Sequence, residues 1–151
     1  TYEHIIETKY DTTAITTVAD RKNQEEMTKT MFDMVEDLAY VVYEIGEMQT
    51  KAKDVIDNNP KGKKVAQELH DALEGLRTDL VVTTGDNYVA SAEPELRERM
   101  QNYELIKEDF TKGKQRFETI KNKEGKKFVK FLEKNEIELK IESKEEFLSD
   151  K

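Results

Sequence analysis

The stretch between Thr17 and Pro60 contains no proline, and apolar side chains recur along it every third or fourth position. Met27, Met31, Val35, Leu38, Val42, Ile45, Ala52 and Ile56, with Gln49 between, mark one face of an amphipathic helix. Thr17 followed by Asp20 reads as a capping box with Asp in place of Glu, and Asn58-Asn59-Pro60 reads as a stop. Unbroken, such a helix has about 40 residues and a length of roughly 60 Å. A helix of that length outruns the partners a small domain can give it, so its N-terminal end is expected to project or bend, with Gly46 as the weak point.

The rest of the chain supplies those partners. Val65, Leu69, Leu73, Leu76 and Leu80 form a second stripe, from near Lys61 to near Thr83, with Gly85 placed to end it. Thr84–Ala92 reads as a loop rich in turn residues. Pro94, flanked by Glu93 and Glu95, suits the first turn of a third helix. Its face continues through Leu96, Met100, Tyr103, Ile106, Phe110, Phe117 and Ile120, and Gly125 is expected to break it. Phe128, Phe131 and Leu132 then belong to a short helix over 126–134. Ile137, Leu139 and Ile141 alternate strictly, the pattern of a strand. Its obvious partner in the chain is the alternating segment Tyr2, His4, Ile6, Thr8, Tyr10. Ser143 and Glu146 are spaced to cap one more helical turn. The expected architecture is an all-α bundle of three to four antiparallel helices with a minor β element at the termini. Its expected divisions are an extended linker or strand over 1–16, the helical bundle over 17–134, and a short strand and tail over 135–151.

Composition narrows the function. The 151 residues are the size of one domain with a real core, and six glycines and two prolines among 38% charged residues are a helical composition. No apolar run approaches the roughly 18 residues of a membrane span. A net charge of −8 argues against a general nucleic-acid binder. The absence of cysteine excludes disulfides and thiolate metal sites. The chain opens at Thr1 without Met or an apolar leader, which reads as a mature product or an excised fragment.

Chemistry-bearing motifs are sparse. The two histidines, His4 and His70, lack a Glu three positions before them, so the Glu-x-x-His pair of a di-iron bundle is missing, and His70 reads as a boundary residue. Ser91, Ser143 and Ser149 lie in no nucleophile elbow. Gly62-Lys63-Lys64 and Gly125-Lys126-Lys127 lack the remainder of a phosphate loop. The acidic groups Glu25–Glu26, Asp33–Glu36–Asp37 and Glu95–Glu98 read as solvated faces. The lysines at 121, 123, 126, 127, 130 and 134, interleaved with Phe128 and Phe131, read as an amphipathic helix rather than a polyanion patch. Thr84-Gly85-Asp86-Asn87-Tyr88 is the most distinctive local string. Asn87, Tyr88 and Phe131 are the candidate interaction residues. No catalytic, cofactor or metal residue is assigned.

The order of Ile5–Asp11, the Thr12–Asp20 linker, the Gln24–Val55 helix, Leu96-Arg97-Glu98-Arg99-Met100 and Phe128–Ile137 resembles a known arrangement. It is similar to the helical region that follows the β-propeller in bacterial BNR-repeat, sortilin-like proteins, often labelled glycosyl-hydrolase-like. The direct junction of Asn102 and Tyr103 departs from that family, which carries an extra turn and loop at this point. The resemblance implies a non-catalytic accessory or interaction module, C-terminal to a propeller in a larger exported protein, with an extracytoplasmic location. The implied partner is the neighbouring propeller or another protein. The alternatives are a self-associating bundle, whose first helix pairs with a second copy, and a glycoside hydrolase.

Overall fold

Thr17 fastens the start of the first helix. Its backbone N–H donates to Asp20 Oδ2 at 2.8 Å, and the Asp20 N–H donates back to Thr17 Oγ1 at 3.1 Å. This is the reciprocal box expected from the sequence. The Thr17 hydroxyl bond, and then its backbone N–H, hold the Asp20 carboxyl below the usual range. The computed structural model describes residues 16–81 and 96–149, the side chains of 81 and 96–102 excepted. It contains α1 (Val18–Asn58), α2 (Lys63–Val81), α3 (Leu96–Ile120), a π turn (Lys121–Gly125), α4 (Lys126–Lys134) and α5 (Lys144–Ser149). The chain is all-α, and no strand forms among the described residues.

Two compact units divide the chain, Thr1–Asp33 and Met34–Lys151. In the first, the described residues are the start of α1. Thr28 and Thr30 turn their hydroxyls back onto the carbonyls of Gln24 and Glu26. Val18, Met31 and Phe32 are exposed.

The second unit is the helical bundle. Asp37 meets Lys114, and Glu44 meets Lys121, so α1 and α3 ascend in parallel. Gln49 bonds Glu74, Arg116 pairs with Asp79 and Lys127 with Glu68, so α2 descends between them. The core contains Val41, Ile45, Met48, Ala52 and Val55 of α1, Ala66, Leu69, Leu73 and Leu76 of α2, Phe117 and Ile120 of α3, and Phe128 and Leu132 of α4. The α2 stripe is the one expected. In α1 the core follows the heptad register 41-45-48-52-55, and Val42 and Ile56 flank it half-buried. Met31 and Val35, expected in the core, are exposed. Both registers satisfy three-four spacing, and only the neighbours choose between them.

Asn59 turns the chain from α1 into α2, its Oδ1 accepting the N–H groups of Lys61 and Gly62. Gly62 is buried because the Phe131 ring occupies the space of a side chain there, and a Cβ would also stand 2.6 Å from Val55 Cγ1. Gly62→Ala is expected to destabilise by about 2 kcal/mol through overpacking, read as a lower urea midpoint at unchanged slope. An unchanged midpoint would show that the ring swings aside freely.

Gly125 does not break the third helix. Its φ of −58° and ψ of −45° are helical, and the Lys126 N–H reaches back five residues to the Lys121 carbonyl. The wide turn absorbs one extra residue. Phe117 and Ile120 before it, and Phe128 and Leu132 after it, thereby face one core. The run Leu96–Ile120 is also continuous across Asn102–Tyr103.

α4 ends in a Schellman motif: the Ile137 N–H donates to the Leu132 carbonyl at 3.0 Å, and the Glu136 N–H to that of Glu133 at 3.2 Å. The motif needs a left-handed residue, and Glu136 supplies it at φ 56°. Glu136→Gly is expected to stabilise by about 0.5–1 kcal/mol, raising the thermal midpoint by roughly 2 °C. A lowered midpoint would mean that Glu136 makes a compensating contact.

Among the described residues the segment 137–143 forms no helix and pairs with no strand, so the expected minor β element is not seen there; its burial alternates from 137 to 141 as in an extended chain. The expected partner, residues 2–10, lies outside the described residues. Alternation did identify the inward side chains, for Ile137, Leu139 and Ile141 pack against the core. They lie on a helical surface instead of in a sheet. The chain from 137 to α5 is called the strap below.

Candidate interaction groove

The strap lies against α1, along the face turned to α3, and polar groups fasten its far end. The Tyr40 hydroxyl donates to the Glu142 carbonyl at 3.0 Å, and the Glu142 N–H donates to the Tyr43 hydroxyl at 3.2 Å. Burial, and then the neighbouring Glu44 carboxylate, push the Tyr40 phenol up from its ordinary value. The phenol therefore remains a donor. Ser143 and Glu146 form the second capping box, at 2.9 Å and 3.3 Å, which starts α5 as the sequence suggested. Phe147 then stacks on Tyr43 with ring centroids 4.7 Å apart.

Asp37 is the electrostatic end of this fastening. Its two carboxylate oxygens accept Lys114 of α3 and Lys144 of α5, one each. It is half-buried, not the solvated residue expected from its acidic neighbours. The Lys114 bond first, and the Lys144 bond second, hold its carboxyl below the usual range. A depressed folded value stabilises the fold above the unfolded pKa of about 3.9 and is lost as pH falls through the folded value. Wild type is therefore expected to exceed Asp37→Asn in thermal midpoint near pH 6, and this gap should narrow as pH falls below the unfolded pKa and close once it has passed the folded one. Asp20 and Glu146, also depressed, are common to both proteins and cancel in the difference. A gap that persists in acid would remove the charge from the explanation.

Beside the strap, on its α3–α4 side, is an apolar slot of about 480 Å³. Met48, Gly125, Val129, Leu139 and Ile141 supply its apolar surface. The π turn helps to make this space: Gly125 has no side chain, and a Cβ there would stand 3.2 Å from Met48 Cε. Lys126 and Lys130 border the middle, one helical turn apart, and Glu118 and Glu133 stand further along the same wall. None of these four has an ion-pair partner among the described residues. Lys121, also on the border, reaches Glu44 at 2.6 Å.

The expected candidates fall elsewhere. Asn87 and Tyr88 lie outside the described residues, as does His4. Phe131 is half-buried and packs on Gly62, at the opposite side of α4 from Val129. The lysine-rich stretch is the amphipathic helix expected: Phe128 is buried, Lys123 pairs with Glu124 and Lys127 with Glu68. His70 is half-buried on α2, its Nδ1 without a hydrogen bond and 3.7 Å from Asp71 Oδ1. Among the described residues, no three His, Asp or Glu side chains converge as a metal site. No described helix is long and apolar enough to cross a membrane.

The slot escaped sequence reading because it needs three separated pieces: the π turn, α4 and the strap. One signal was present. Ile120 and Phe128 are eight positions apart, one more than a heptad allows, and that excess marks the wide turn. No family model, curated protein or solved structure matches the chain.

Proposed function

We propose that this chain is a non-catalytic helical interaction module that receives a partner in the slot between the strap and α4. The observation that carries the reading is the slot itself: an apolar space of about 480 Å³, open to solvent and bordered by Lys126, Lys130, Glu118 and Glu133, which have no ion-pair partner among the described residues. A volume of this order holds a few side chains of a partner rather than a whole helix. A bundle serving only as a spacer has no use for a space kept open by Gly125 at a π turn. The resemblance to the helical region after a β-propeller supports an accessory place in a larger exported protein, with the neighbouring domain as one source of the partner segment.

A displayed peptide library selected on the intact chain tests the reading. Recovered peptides should bind wild type and lose at least about tenfold in affinity for Val129→Glu, which puts a charge into the slot. Val129 is 37% exposed, so the substitution leaves the core intact, and circular dichroism verifies this. Recovery of no binders, or of binders indifferent to Val129→Glu, would overturn the proposal. The sequence of the parent gene tests the setting: an upstream propeller supports it, and its absence from the parent removes it.

A further inference from the structure

From the strap's backbone we infer that the slot takes an extended peptide as an added β-strand, apolar at alternate positions and acidic at its centre. The inference rests on the slot being a binding site and specifies what binds there. Extended chain needs partners for its backbone N–H and C=O groups, and among the described residues the strap's are met at its ends. At one end the Ile137 N–H is taken by the Leu132 carbonyl. At the other the Glu142 N–H and carbonyl are taken by Tyr43 and Tyr40. Between them, Glu138, Leu139, Lys140 and Ile141 have no backbone hydrogen bond to any described residue. The strap is thus anchored at both ends around four residues whose backbone groups have no partner among the described residues. Unpaired edges of this kind accept a further strand.

Alternation decides which edge is available. In extended chain each residue presents its N–H and C=O to one edge, and successive residues present theirs to opposite edges. Glu142 uses the edge toward the α1 tyrosines. Leu139 and Ile141 therefore present theirs to the other edge, and both residues line the slot. A strand entering there pairs with Leu139 and Ile141 and lays alternate side chains on Met48, Gly125 and Val129. The charges along the wall select the sequence. Lys126 and Lys130 in the middle call for an acidic residue at the peptide's centre, and Glu118 and Glu133 toward the ends call for basic residues outside it. Preorganisation of the strap lowers the ordering cost of such pairing.

The probe is acetyl-Lys-Val-Glu-Val-Lys-amide, tested on the full chain by amide hydrogen exchange and chemical-shift titration. The Leu139 and Ile141 amides are expected to exchange about tenfold more slowly with peptide bound, while Glu142, already bonded, changes little. An N-methyl group on the amide of either valine removes a donor and should weaken binding about tenfold. Exchanging the charges, as Glu-Val-Lys-Val-Glu, should weaken it further. Binding that shifts Val129 and Met48 without slowing Leu139 and Ile141 would overturn strand addition and leave the slot as a binding site. No shift at Val129 with any of the peptides overturns the inference and counts against the slot as well.

Discussion

Ending the chain at Glu136 is expected to lower the stability of the bundle by about 3 kcal/mol. Ile137, Leu139 and Ile141 are half-buried against the core, and each contributes about 1 kcal/mol, half of the full-burial value. The stacking of Phe147 on Tyr43 and the two tyrosine hydroxyl bonds add to this, offset by the entropy regained when the segment is freed. For a chain of this size the loss corresponds to roughly 6–10 °C in thermal midpoint. Truncation also uncovers the surface beneath the strap, so binding of an apolar dye should rise together with the loss. Tyr40→Phe with Tyr43→Phe, which removes only the hydroxyl bonds, should reproduce about a third of the effect. A truncated chain as stable as the whole one would show that the strap merely rests on the bundle.

The second large effect centres on Glu44. Its side chain is 8% exposed, among the residues of the α1 core face, and its ion-pair partner among the described residues is Lys121, at the first position of the π turn. Lys121→Met leaves that carboxylate buried and unpaired. Loss of a partner from a fully buried pair costs about 3–5 kcal/mol, and because the lysine side chain is 41% exposed, about 2 kcal/mol is expected here. Glu44→Leu combined with Lys121→Met should restore most of this, since neither charge then remains to be solvated. Urea unfolding of the two singles and the double measures the coupling directly. If the double variant is as unstable as Lys121→Met alone, packing around Phe117, over which Lys121 also lies, is the cause instead of charge.

Local signals were read with most success. Thr17 with Asp20, and Ser143 with Glu146, form the capping boxes their spacing suggests. Asn58-Asn59-Pro60 ends α1, and the leucines of α2 fill the core as expected. These features depend on neighbours within one or two turns. The choice between Val41 and Val42 as a core position does not, because the two registers of α1 differ only in what α2 and α3 offer them. Glu44 was invisible for a related reason. A glutamate in a helix reads as a solvated residue, and its burial depends on a lysine 77 positions away. The strap shows the opposite failure. Alternation located the inward residues Ile137, Leu139 and Ile141, but period two is equally the signature of an extended chain lying on helices. At the candidate groove, Phe131 was the residue singled out in α4, whereas the slot is lined from the other side of that helix, by Val129, Lys126 and Lys130.

The π turn makes the geometry of this molecule depend on chain length at one place. The extra residue between Lys121 and Gly125 is one more than the register of the core requires, because seven residues of α-helix advance about 700°, within about 20° of two full turns. Deleting one residue there would close the turn to ordinary α-helix and bring Ile120 and Phe128 to heptad spacing, so that both would still face the core. The wall beside the strap would change instead, since the wide turn stands there. Related chains are thus expected to keep the bundle at a spacing of seven or eight between these positions, and the groove at eight alone.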